Sequence, residues 1–181
     1  MYDVKQFVPE CFVDSRLIQI ILNSSKGPNH AHGVGKVLNK LEMDLLKYPA
    51  IGIIDQDPGK GAKPTIWSNY QPQLLEENLI NFGLGVFKHQ SKNHLVIEIM
   101  PEIEKWILEA CNESAVNPQE YGLPQNLHDL NMITKSINIH TNKEFTNLIL
   151  KLLELNSPRL IKLKEILLRY SNYKIPLERR V

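Results

Sequence analysis

The chain has 181 residues, of which 43% are hydrophobic, and this composition predicts one folded domain with a sizeable core. Its formal net charge is +1, so the chain as a whole is neither strongly basic nor strongly acidic. Two cysteines, Cys11 and Cys111, are too few for a disulfide framework and favour a reducing, cytoplasmic setting. The start of the sequence lacks a signal-peptide pattern, and no apolar run approaches the roughly 20 residues that span a bilayer, so we expect no membrane segment.

The first half of the chain alternates between strand and helix patterns. Residues 4–10 predict a strand, and apolar residues at helical spacing over 13–22 predict the helix that follows. A polar connection carries a weak strand signal near 30–33, and residues 34–45 predict a second helix. The β-branched run in residues 50–57 predicts a buried central strand. This alternation is typical of a parallel sheet with right-handed crossovers.

The second half becomes increasingly helical. After a predicted loop at 59–73 and a helical piece at 74–80, residues 84–89 and 95–100 predict two strands joined by a tight turn, and Pro101 predicts the start of a helix. Two further helices are predicted, one capped by Thr141 or Asn142 and one started by Ser157-Pro158. We therefore expect an α/β core at 1–112, an irregular connection at 113–140 and a helical extension at 141–181.

Acidic residues follow several of the predicted strands. Glu10 ends the first strand, Asp55 and Asp57 end the central strand, and Glu104, with Glu98 or Glu102 as alternatives, lies near the next strand-to-helix junction. Residues two apart on a strand face the same way, and ligands bind beyond the carboxyl ends of parallel strands. Carboxylates are natural ligands of Mg²⁺, which activates water for phosphodiester hydrolysis. The alternative for Asp-x-Asp-Pro-Gly is a simple turn.

These motifs resemble the Toprim fold of topoisomerases, primases and overcoming-lysogenization-defect (OLD) nucleases. Glu10-Cys11 is similar to the family's Glu-Gly, and Asp55-Gln56-Asp57 to its Asp-x-Asp. The segment Ile-Glu-Lys-Trp-Ile around Glu104 looks like a further segment of OLD-type nucleases whose Glu joins the metal site. The resemblance covers residues 4–112, and Cys11 departs from it by replacing Gly.

The resemblance implies a Toprim-like, Rossmann-like, mostly parallel sheet flanked by helices. It also implies a Mg²⁺-dependent (or Mn²⁺-dependent) nuclease or nuclease subunit that hydrolyses DNA or RNA, in bacterial phage defence. Glu10, Asp55 and Asp57 would be catalytic, and they would bind the metal together with Glu104. The chain has no phosphate-loop motif, so the ATPase that accompanies related defence proteins would be a separate subunit.

Basic residues suggest where nucleic acid would bind. Lys60 and Lys63 follow Asp57, and Arg159 and Lys162 begin a basic C-terminal segment, so we expect these four to contact phosphates. The alternative for both groups is a solvated surface.

Two other functions remain open. A degenerate Toprim-like scaffold would use its C-terminal helices to bind a partner or a second copy of the chain, and Cys11 and Pro9 favour it. A phosphatase-type Mg²⁺-dependent hydrolase would use Asp55 as its nucleophile and form a phosphoenzyme.

Overall fold

A five-stranded sheet forms the centre of the computed structural model, which describes residues 4–45, 49–57, 61–73 and 79–171. The spatial order of the strands is β1-β2-β5-β4-β3. Their bounds are β1 Phe7–Pro9, β2 Ala50–Asp55, β3 Tyr70–Pro72, β4 Leu84–His89 and β5 His94–Ile99. Strands β1, β2 and β5 are parallel neighbours, β4 is antiparallel to β5, and β3 is antiparallel to β4. Only β4 therefore opposes the other strands, which confirms an α/β fold with a mixed, mostly parallel sheet.

Helices cover both faces of this sheet. They are α1 Phe12–Ile21, α2 Val34–Asn39, α3 Ile103–Glu113, α4 Leu127–Thr134, α5 Lys143–Glu154 and α6 Pro158–Ser171. A π-helical turn, Lys40–Asp44, continues α2. Successive residues of a strand face opposite sides, so Ile53 joins the larger core under α1, α3, α5 and α6, whereas Ile54 joins a smaller core under α2.

The N-terminal edge of the sheet differs from the sequence prediction. Only Phe7–Pro9 is strand, because residues 4–6 form a 3₁₀ turn. The weak signal near 30–33 is not a strand, yet this segment lies along β1. The backbone N–H groups of Asn29 and Ala31 donate to the carbonyls of Phe7 and Pro9 at 3.0 and 2.9 Å. The segment is thereby fixed beside the end of β1.

Other differences concern the second half of the chain. Strand β3 lies in the predicted loop, and α3 begins at Ile103 after Glu102 as N-cap, so Pro101 precedes the helix and does not open it. Within 113–140, predicted as irregular, the chain forms α4 and two 3₁₀ turns. Residues 74–78 of the predicted helical piece lie outside the described residues.

The C-terminal helices belong to the larger core. Phe145 of α5 and Leu163 of α6 are buried in the same apolar cluster as Trp106 of α3 and Ile97 of β5. The division of the chain at residues 112 and 140 stays a prediction. Among the described residues, no helix is long and apolar enough to cross a membrane.

Candidate active site

A cavity of about 270 Å³ opens at the carboxyl ends of β1 and β2, beside the start of α3. We call it the acidic cavity, because five of the residues that line it are carboxylates. The acidic lining residues are Glu10, Asp55, Asp57, Glu102 and Glu104. The fold thus brings together all four residues predicted as metal ligands, from three separate segments of the chain.

Glu10 and Asp55 are joined directly. The Glu10 backbone N–H donates to the carbonyl of Ile53 at 2.9 Å, which continues the parallel pairing of β1 and β2 beyond Pro9. The Glu10 side chain then turns towards β2, where its Oε2 accepts a hydrogen bond from the backbone N–H of Asp55 at 3.2 Å. The two carboxylates are therefore held side by side at the sheet edge.

Asp57 lines the same cavity, but its position does not follow from strand geometry. Strand β2 ends at Asp55, and Asp57 has a left-handed backbone with φ of 49°. Its backbone N–H donates to the carbonyl of Pro101 at 2.9 Å, which ties the Asp-x-Asp segment to the connection between β5 and α3. Asp57 therefore shares the cavity with Asp55 because of this hydrogen bond, and not because side chains alternate along a strand.

Glu104 is more buried than its place on the predicted helix suggests. It lies in the first turn of α3, is 4% exposed, and accepts a hydrogen bond from the Thr134 hydroxyl at 2.5 Å. Thr134 is the last residue of α4. This bond makes α4 a wall of the acidic cavity.

Asp14 adds a further carboxylate behind the cavity. Its Oδ2 accepts a hydrogen bond from the backbone N–H of Cys11 at 3.0 Å, so Asp14 caps the N-terminus of α1. Asp14 is 1% exposed, and its Oδ1 is buried without a hydrogen-bond partner in the described part of the chain. Burial raises the pKa of Asp14 to about 7, and the charges of Glu10 and Glu104 contribute.

The carboxylates act on one another electrostatically. Burial raises the pKa of Asp55 well above its usual value, and the charges of Asp14, Glu10, Glu104 and Asp57 raise it further. The Asp55 Oδ1 atom is buried and has no hydrogen-bond partner among the residues described. A bound cation would give this oxygen a partner and would reduce the repulsion between the carboxylates.

Sequence reasoning missed several polar residues of the cavity. Asn131, Thr134 and Lys135 line it from α4 and its C-terminal end, and His32 lines it from the segment beside β1. Asn131 and Lys135 are four residues apart, so they share one face of a helical turn. The amide Oδ1 of Asn131 is also buried and unpartnered in the described structure. The helical spacing of Leu127–Thr134 was a signal for the helix, but nothing local placed it beside Glu104.

Three of the four basic residues that were predicted to contact phosphates are paired with glutamates. Lys63 pairs with Glu98 and lies 4.0 Å from the centre of the Trp67 ring, while Lys60 is outside the described residues. Arg159 is paired with Glu109 and Glu113 of α3 at 2.9 and 2.8 Å and is only 11% exposed.

Lys162 pairs with Glu165 at 2.7 Å. Neither Arg159 nor Lys162 is among the described residues that line the acidic cavity. Both residues lie on α6.

The oxygen atoms that line the acidic cavity are of the kind that binds a divalent metal ion. Hard carboxylate and amide oxygens are the donors that Mg²⁺ and Mn²⁺ take, and two of the cavity's oxygens, on Asp55 and Asn131, are buried without partners. The donor chemistry therefore fits. Among the described residues, however, no three His, Cys, Asp or Glu side chains already stand close enough together to hold a metal ion.

Cys11, which follows Glu10, also lines the cavity. Its backbone N–H is bonded to Asp14, and burial together with the Asp14 charge raises the pKa of its thiol far above the usual range. The thiol is therefore neutral at physiological pH.

Comparison of the chain with protein-family models, curated proteins and solved structures found no match.

Proposed function

We propose that this protein is a Toprim-like, Mg²⁺-dependent nuclease or nuclease subunit that hydrolyses phosphodiester bonds of DNA or RNA. The observation that carries the proposal is the acidic cavity, where Glu10, Asp55, Asp57 and Glu104 meet from three segments of the chain. The order of the motifs, with Glu10 after β1 and Asp55 after the adjacent parallel strand β2, supports the Toprim-like identity. Phage defence and a separate ATPase subunit rest on the resemblance alone.

Each carboxylate has a distinct part in this proposal. Asp55, whose Oδ1 has no hydrogen-bond partner in the described part of the chain, and Asp57 would bind Mg²⁺ together with Glu104. A bound divalent ion supplies a Lewis acid for the phosphate and an activated water. Glu10 already accepts a hydrogen bond from the backbone of Asp55, which fixes its carboxylate where a proton could be taken from water.

The residues of α4 complete the pocket. Asn131 offers a neutral oxygen beside the carboxylates, and Thr134 fixes the position of Glu104. Lys135 is the only lysine or arginine among the described residues that line the acidic cavity, and it is exposed. Its ammonium group would attract a phosphate towards an otherwise acidic site.

The first test is metal binding by Asp55→Asn. We expect calorimetry to show Mn²⁺ binding to the wild type and at least tenfold weaker binding to the variant, because one negatively charged ligand becomes a neutral amide. Without metal, the variant should unfold at the same or a higher temperature, since it relieves the repulsion that raises the pKa of Asp55. Metal-dependent cleavage of a labelled oligonucleotide should fall at least 100-fold.

The matched control is Glu120→Gln, which removes an exposed carboxylate on a 3₁₀ turn away from the cavity lining. It should bind Mn²⁺ like the wild type. A wild type that binds no metal at millimolar concentration would overturn the nuclease proposal for the isolated chain and favour the degenerate scaffold. Trapping of a phosphorylated Asp55 would favour the phosphatase.

A further inference from the structure

A second cavity, of about 360 Å³, lies beside the acidic cavity and has the opposite charge. We call it the lysine groove. It is lined by His30, His32, Lys36, Asn39, Lys40 and Met43, and none of its described lining residues is acidic. The two cavities meet at His32, which lines both of them. A ligand that is polyanionic along its length can therefore extend from one cavity into the other.

Lys36 and Lys40 supply the positive charge of the lysine groove. Lys36 is on α2 and Lys40 begins the π-helical turn, so they are one helical turn apart and share a face. Within the described ranges, neither lysine forms an ion pair, in contrast to Lys63, Arg159 and Lys162. Burial and the neighbouring His32 and His140 lower the pKa of His30, with a smaller contribution from the charge of Lys40, which lines the same groove.

The rings of His30, His32 and Phe12 pack together where the two cavities meet, and we call the two imidazoles the His30–His32 boundary. The His30 and His32 nitrogens are 3.2 Å apart, and the Ser15 hydroxyl lies 3.3 Å from the other nitrogen of His30. The Phe12 ring packs on both imidazoles, with ring centres 4.4 and 5.5 Å away. Burial lowers the pKa of His30 to about 4, so its ring is uncharged at neutral pH. Flat ring surfaces beside cations are what a nucleic-acid base can stack on.

From this arrangement we infer that the lysine groove binds the phosphodiester backbone of a single nucleic-acid strand and guides it past His32 into the acidic cavity. Lys36 and Lys40 would contact successive phosphates, and the His30–His32 boundary would support a base. Paired lysines with adjacent ring surfaces are typical of sites that hold single strands without reading their sequence. This inference rests on the proposed nuclease function and assigns its substrate path.

The test is the double variant Lys36→Gln/Lys40→Gln. Its affinity for a fluorescein-labelled single-stranded DNA oligonucleotide would be measured by anisotropy, with Ca²⁺ replacing Mg²⁺, over a range of salt concentrations. We expect at least tenfold weaker binding, with a salt slope smaller by about 1.4, since each lost phosphate contact on a single strand removes roughly 0.7. Lys36→Arg/Lys40→Arg should retain most of the affinity.

The matched control is Lys26→Gln/Lys143→Gln, which removes the same charge at two exposed lysines outside both cavities. It should change affinity less than twofold. Equal losses in the control and the groove variant would overturn the inference, because general charge would then explain binding, and so would a wild type that binds no oligonucleotide.

Calorimetry with Mn²⁺ separates this inference from the proposed function. Intact metal binding with unchanged oligonucleotide affinity in the groove variant would refute the strand path alone. Absent metal binding in the wild type, with weakened oligonucleotide binding in the variant, would support the strand path and refute the nuclease.

Discussion

At the scale of single residues, the main feature is the concentration of carboxylates at one sheet edge. Asp14 and Asp55 each carry a buried oxygen without a partner in the described structure, and the pKa of both side chains is raised. Buried charges of one sign oppose folding unless a cation or a proton compensates them. Such an arrangement is typical of functional sites, which are stabilised by their ligand.

Asp14→Asn is expected to stabilise the metal-free protein at high pH. The pKa of Asp14 in the folded state, about 7, exceeds the usual value of 3.8. The contribution of the protonated Asp14 to stability is therefore fully present below about pH 4 and is lost as the pH rises through 7. Removing the charge should therefore raise the free energy of unfolding by about 1–3 kcal/mol at pH 8. The difference should be smaller at pH 5 and should become small only below about pH 4.

Urea unfolding at pH 5 and pH 8, in the presence of a chelator, measures this effect, with Glu120→Gln as the exposed-carboxylate control. An Asp14→Asn protein that is less stable at both pH values would show that the cap interaction with Cys11 outweighs the repulsion.

At the scale of elements, the position of the site depends on how closely α2 packs on β2. Gly52 lies in the middle of β2, where a Cβ would meet the side chains of Val37, Leu41 and, from β5, Val96. This close approach places α2 and the adjoining turn beside the ends of β1 and β2. The lysine groove and the acidic cavity are adjacent for this reason.

Gly52→Ala should therefore destabilise the protein. A Cβ at Gly52 would lie 2.9 Å from Val37 Cγ1 and 3.1 Å from Leu41 Cδ1, closer than packed carbon atoms normally approach. Overpacking of this kind costs about 1–3 kcal/mol. Thermal unfolding should show a lower midpoint than the wild type. Gly27→Ala is the control, since a Cβ there meets no atom within 4 Å; equal effects of the two changes would contradict this packing argument.

At the scale of the whole molecule, the helices of the C-terminal half complete the core. The described residues of α3, α5 and α6 bury their apolar faces together with the sheet, and Arg159 of α6 is paired with two glutamates of α3. A helix that contributes to a shared core is expected to unfold with it. This arrangement gives Arg159 a structural part in addition to any role in binding.

Leu163→Ala tests this cooperativity. Leu163 is 1% exposed, so its truncation should lower the free energy of unfolding by about 2–4 kcal/mol. Circular dichroism and tryptophan fluorescence should still report one coincident transition, because Trp106 lies in the same core. The control Leu155→Ala changes a residue that is 44% exposed and should have a small effect. Two separated transitions would instead support an independently folding C-terminal extension.

Local sequence patterns were sufficient for much of this architecture. The β-branched run that ends at Asp55, the β4–β5 hairpin and the Asn142 cap of α5 each depend on residues close in the chain, and all three are present in the structure. The positions of Glu10 and Asp55 at strand ends were predicted in the same way. Periodicity and capping act over a few residues, so one sequence can reveal them.

Contacts between distant segments were decided only by the tertiary structure. The bond from Thr134 to Glu104 spans 30 residues, and the segment with His32 is fixed by hydrogen bonds to β1. The pairing of Arg159 with α3 likewise followed from how the helices pack. The sequence alone determined which residues could carry metal chemistry and that strands and helices alternate around them. Which groups share a cavity depended on packing, because the free energy of burying side chains is set by neighbours that no local pattern specifies.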